Sequence, residues 1–141
     1  MTGLASLVGI PWKSGGRSTD GIDCVGLAAL AQAVLWGREY PVPEGYDPER
    51  DTEREPFLLE WVRSFARECA SPVVGGLVVL RLRFAGTEYL HIGTIVEPGE
   101  FLQIFPGGTS RISRFADKYR ARITACFEPE GEEAIGCLAR P

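Results

Sequence analysis

The 141 residues contain a single histidine, His91, so any imidazole-dependent chemistry must run through it. They contain four cysteines, Cys24, Cys69, Cys126 and Cys137. Cys24 has the setting best suited to nucleophilic chemistry. It lies just past the loop-like stretch GGRSTDG, near the start of the stretch DCVGLAALAQAVLWG. A thiol at a helix start meets the unpaired N–H groups of the first turn and the positive end of the helix dipole. Both stabilise a thiolate, and the same N–H groups can hold an oxyanion. Position alone also fits a plainer role, that of a small buried hydrophobe.

His91 lies in EYLHIGTIV, where Leu90 and Ile92 flank it and must face the other way if the stretch is a strand. Gly93 leaves room beside it on the same face. Gln103 lies in the following stretch, EFLQIF, beyond a Pro98–Gly99 turn. A hairpin centred near residue 97 pairs position 91 with position 103 and puts both side chains on one face. There the Gln103 amide oxygen could accept from the imidazole and fix its tautomer, freeing the other ring nitrogen for a thiol. Taken singly, His91 also reads as a hydrogen-bonded, half-buried residue and Gln103 as an exposed polar one.

The elements that must position these groups follow from periodicity. Residues 23–36 lack proline, are rich in helix formers and are apolar on most sides, which predicts a buried helix capped by Gly37. Residues 37–54 carry Pro41, Pro43, Gly45 and Pro48 and read as a long surface loop. Thr52 and Glu55 fit a capping box, and Phe57, Leu58, Trp61, Val62 and Phe65 recur at helical spacing, which predicts a second helix over 54–69. Pro72 ends it. Strands are then predicted over 75–84, 88–96, 100–105, 111–115 and 119–127, separated by turn residues, with a loose tail from Glu128. Helices first and consecutive short strands afterwards predict an α+β fold with an antiparallel sheet.

Composition narrows the function classes. The length suits one domain over 1–141, with a helical insert at about 38–70. A net charge of −4 without a Lys/Arg block argues against nucleic-acid binding. No stretch reaches the roughly 18 apolar residues of a membrane span. The N-terminus lacks the charged and apolar regions of a signal peptide, which predicts synthesis in the cytoplasm. One histidine and no CxxC pair argue against a zinc site.

The stretch GIPWKSGGRSTDGIDCVGLA, residues 9–28, resembles the catalytic motif of NlpC/P60 cysteine peptidases. HIGTIVEPGEFLQI resembles that family's second block, and PVVGGLVVL the strand before it. The resemblance spans about residues 5–115 and implies a papain-like α+β core, with N-terminal helices packed on an antiparallel sheet. It implies Cys24 as nucleophile, His91 as base and Gln103 as orienter of a Cys-His-Gln triad, with Asp23, Trp12 and Val25 on the substrate side. Asp23 matches an acid that helps bind the substrate's free amine. Trp12 stands where the family has a tyrosine, Val25 where a serine often follows the cysteine, and Gln103 where a histidine is commoner. The implied activity is hydrolysis of amide bonds in peptidoglycan stem peptides, with no metal or organic cofactor. The compact form resembles versions carried by phages, which implies phage tail proteins as partners and tail-borne delivery. Two other functions share the core: a structural component of a phage tail, and another amidase or acyltransferase.

Overall fold

The computed structural model of the protein describes residues 3–42, 57–84 and 86–129. A 3-10 turn at Leu4–Leu7 leads into a two-stranded ribbon, β1 (Arg17–Ser18) with β2 (Gly21–Ile22). Helix α1 (Cys24–Trp36) follows directly, then α2 (Phe57–Arg63). The sheet strands are β3 (Ala66–Cys69), β4 (Leu77–Phe84), β5 (Thr87–Glu97), β6 (Glu100–Gln103), β7 (Arg111–Arg114) and β8 (Ile123–Pro129). A helical turn, α3 (Asp117–Arg120), precedes β8. The six strands form one antiparallel sheet in the order β3-β8-β4-β5-β6-β7. The α+β layout with helices on an antiparallel sheet is therefore the one expected from the sequence.

Both sheet faces are covered. Val25 and Ala28 of α1 and Leu58 and Val62 of α2 pack on Leu77, Val79, Leu90, Ile92 and Phe127. Farther along α1, Leu27 and Ala31 join Val96, Leu102 and Ile104 on the same face. The opposite face carries Val78, Leu80, Ile95, Phe101 and Cys126, closed over by Tyr119. Leu80 pairs directly with His91 and Val78 with Gly93, so His91 belongs to this second face.

Three expectations are corrected. The second helix stops at Arg63, and residues 66–69 form a strand of the main sheet rather than its last turn. Ser64 and Phe65 donate their N–H groups to Trp61 and Val62, i to i−3, and the Ser64 hydroxyl bonds the Trp61 carbonyl at 2.6 Å. This tightened turn ends the helix, and the free edge of β8 then pairs with Ala66–Cys69. Residues 119–122 are not strand either: Tyr119 sits in α3 and is buried edge-on against Phe101, ring centroids 5.3 Å apart. Tertiary packing of one aromatic outweighs the β pattern of its neighbours. The Thr52–Glu55 capping box lies outside the described residues.

The third correction concerns register. Pro98 and Gly99 form a two-residue turn, with Gly99 at φ +80, so Glu97 pairs with Glu100 and the hairpin centre is not at 97. A bulge at Val96 then shifts the ladder, and Ile95 pairs with Phe101 and Thr94 with Leu102. Continued along both strands, this register sets Gln103 opposite Gly93, diagonal to His91. The bulge decides which face Gln103 takes. Without the extra residue, the turn would set Gln103 opposite Thr94 and point its amide away from His91.

Candidate active site

The helix tip is built by close backbone packing. Asp23 caps α1 with extended backbone, and its Oδ1 accepts from the Gly26 N–H at 2.8 Å. Its Oδ2 accepts from the Gly15 N–H at 2.9 Å, which ties the preceding loop to the cap. The Arg17 guanidinium lies 3.7 Å from the same carboxylate. Three glycines let loop and helix touch. A Cβ on Gly26 would lie 2.3 Å from the Gly16 carbonyl oxygen, and one on Gly16 would lie 2.2 Å from that of Gly21. The glycines of the motif thus serve contact distance. Cys24, the first helical residue, is half-buried at the seam between the two helix-side clusters and is in no disulfide.

On the other face of the sheet, His91 Nε2 and Gln103 Oε1 are 2.7 Å apart, and both side chains are fully buried. An amide oxygen only accepts, so Nε2 carries the proton. The Gln103 amide nitrogen is held in turn by the Ser113 hydroxyl at 2.7 Å and the Tyr119 hydroxyl at 3.5 Å, which fixes the oxygen toward the imidazole. The Phe105 ring stacks on the imidazole at 5.0 Å and 14°, and Tyr89 meets it edge-on at 6.1 Å. Among the described residues, buried His91 Nδ1 has no hydrogen-bond partner. An orphaned buried nitrogen costs stability unless it has a use.

Electrostatics follow from this burial. Desolvation pushes the His91 pKa down to about 4, against the pull of the Gln103 hydrogen bond, so the imidazole is neutral at pH 7. Tyr89 is pushed up to about 12, first by burial and next by the charge of Cys24. Cys24 therefore lies within electrostatic range of the residue two positions before His91. Burial also raises the Asp23 carboxyl, against its two backbone N–H donors and Arg17.

The structure sorts the residues singled out from sequence. His91 and Gln103 meet as expected, by a diagonal rather than a direct pairing. Asp23 is 1% exposed, and both its oxygens are engaged in holding the helix tip and loop. Trp12 is half-buried, packs on the Ile22–Leu27 cluster beside Cys24, and donates its backbone N–H to Gly108 at 2.9 Å. Val25, placed on the substrate side by resemblance, is fully buried among Ala28, Leu58 and Leu77, where no substrate can touch it. That is a correction: the residue after the cysteine points into the core here. Sequence reasoning missed Ser113, Tyr119, Tyr89 and Phe105. Ser113 was accessible in principle, because it sits on the next strand opposite Phe101, on Gln103's face. Among the described residues, no group of three His, Cys, Asp or Glu side chains could hold a metal ion.

The fold has known counterparts. The chain aligns with the NlpC/p60 domain of the peptidoglycan hydrolase SagA at a TM-score of 0.51 and 17% identity, over 86% of this chain and 89% of that one. It aligns with an NLP/P60-family protein, similar to lipoprotein, from Staphylococcus aureus at 0.58 and 19%, over 88% of this chain and 38% of that one. No family model and no curated protein matches the sequence. The architecture is thus that of NlpC/P60 domains, helices packed on an antiparallel sheet.

Proposed function

We propose that the protein is a cysteine peptidase that hydrolyses amide bonds in peptidoglycan stem peptides. The observation that carries the reading is the buried His91–Gln103 hydrogen bond, which leaves Nδ1 as the accepting nitrogen, in a domain whose loop-capped helix opens on Cys24. The NlpC/P60 architecture supports the choice of substrate, since SagA is described as a peptidoglycan hydrolase.

In the proposed mechanism Cys24, within electrostatic range of Tyr89 on the His91 side of the sheet, gives its proton to Nδ1 of neutral His91 as the sulfur attacks the amide carbonyl. The first-turn N–H groups of α1 stabilise the oxyanion. Collapse of the tetrahedral intermediate breaks the C–N bond, and the Nδ1 proton passes to the leaving amine. Water, deprotonated by His91, then hydrolyses the thioester. Gln103 keeps the imidazole in the Nε2–H tautomer throughout. Asp23 acts by holding the helix tip.

Mass spectrometry of digested peptidoglycan tests the reading. The wild type should release fragments cut within the stem peptide, and Cys24→Ala should release none while unfolding at the same denaturant concentration. Full activity in Cys24→Ala would sink the proposal.

A further inference from the structure

A cleft of about 480 Å³ opens on the sheet face that carries His91. Tyr89, Phe105 and Tyr119 form part of its wall. The same three side chains surround the base: Phe105 stacks on the imidazole, Tyr89 meets its edge, and Tyr119 reaches the Gln103 amide. The cleft therefore shares its wall with the His91–Gln103 pair.

Its charged lining has one sign. Arg83, Lys118 and Arg122 line it, and among the described residues no acidic side chain does. Arg83 is partly engaged, by Glu88 at 3.8 Å and the Gly86 carbonyl at 3.2 Å. Lys118 and Arg122 have no acidic partner among the described residues, although the chain as a whole carries a net charge of −4. The Lys118 ammonium rests 5.1 Å over the Tyr119 ring, which holds it at the cleft. Two cations with no acidic partner among the described residues, set beside aromatic walls, suit a ligand with an apolar stem and a carboxylate end.

We infer that this cleft is the subsite for the leaving-group side of the substrate and selects an amino component bearing a free carboxylate. This rests on the peptidase reading above. In that chemistry the imidazole hands its proton to the departing amine, so the substituents of that amine lie on the His91 side of the scissile bond. A carboxylate there meets Lys118 and Arg122, whereas a carboxamide offers them no charge.

The test uses two stem-type peptides that differ in one group, a carboxylate or a carboxamide on the residue that leaves as the amine. Calorimetric titration into the full chain carrying Cys24→Ala measures binding without turnover. The acid should bind roughly fivefold to tenfold tighter at low salt, as two exposed cations allow, and the ratio should shrink at high salt. Lys118→Gln combined with Arg122→Gln should bring the ratio close to one. Arg120→Gln, an exposed cation of the same helical turn outside the cleft, should leave the ratio as it is. Equal binding of the two peptides, no binding of either at millimolar concentration, or selectivity that survives the double variant would each overturn the inference. The peptidase reading fails separately, if the wild type leaves both peptides intact while the binding preference persists.

Discussion

Acidification should destabilise the protein through one side chain. His91 has a pKa of about 4 in the fold, against 6.5 when exposed, because its ring is wholly desolvated. The unfolded chain therefore takes up a proton near pH 6.5 that the native state refuses until about pH 4. The stabilising contribution of a neutral His91 is complete above pH 6.5 and is lost progressively as pH falls toward 4. At 1.36 kcal/mol per pH unit, that window amounts to about 3 kcal/mol, a large share of the 5–15 kcal/mol typical of a domain. Urea unfolding followed by tryptophan fluorescence, at steps from pH 8 to pH 4, measures it. Carboxylates also titrate over this range, so the informative quantity is the difference from His91→Gln, which keeps a neutral donor for Gln103 and removes the titration. Wild type should lose about 3 kcal/mol more than the variant over the window. Parallel curves would refute the desolvated-imidazole argument. A difference of opposite sign would show that the imidazole rests protonated, as in a thiolate–imidazolium pair.

Gln103→Ala should lower kcat on stem peptides by about tenfold to a hundredfold with little change in KM, since it removes orientation and not binding; Gln103→His, which keeps an acceptor, should recover part of the loss. Gly26→Ala improves helix propensity by about 1 kcal/mol, yet its methyl would sit 2.3 Å from the Gly16 carbonyl oxygen, so a net loss of about 2 kcal/mol is expected in denaturant midpoint analysis. A stable Gly26→Ala protein would show that the loop does not need to touch the helix. Burial pushes the Cys69 and Cys126 thiols up, so a limiting amount of iodoacetamide at pH 7 should label Cys24 before either, as peptide mapping would reveal. Preferential labelling of Cys69 would count against a nucleophilic Cys24.

The legible parts of the molecule were those with local causes. Asp23, the proline-free apolar run and Gly37 mark both ends of α1, and the structure starts the helix at Cys24 and closes it on a left-handed Gly37 with φ +69. Alternating apolar residues and the Gly86 and Pro98–Gly99 turns delimited β4, β5 and β6 to within a few residues. The cysteine, histidine and glutamine that could act together were visible as residue types, because a chain with one histidine offers no choice of imidazole.

Other features depended on partners distant in sequence. Residues 66–69 carry good helix formers, and only the waiting edge of β8 makes them a strand. The resemblance set Val25 on the substrate side, and the core formed with α2 and β4 buried it instead. Simple hairpin arithmetic reached the right face for Gln103 from the wrong centre, since the real turn alone would have flipped it and the Val96 bulge flipped it back. Ser113 and Tyr119 hold the amide only because β7 and α3 fold over that face. The sequence by itself determined the helix that opens on Cys24 and the antiparallel hairpins, because these follow from nearest-neighbour propensity and periodicity, and it limited the candidate imidazole to His91. The tertiary structure alone decided the register, the burial that keeps the His91 imidazole neutral, and the cations beside the cleft next to it, because each requires atoms from separate strands to share one space.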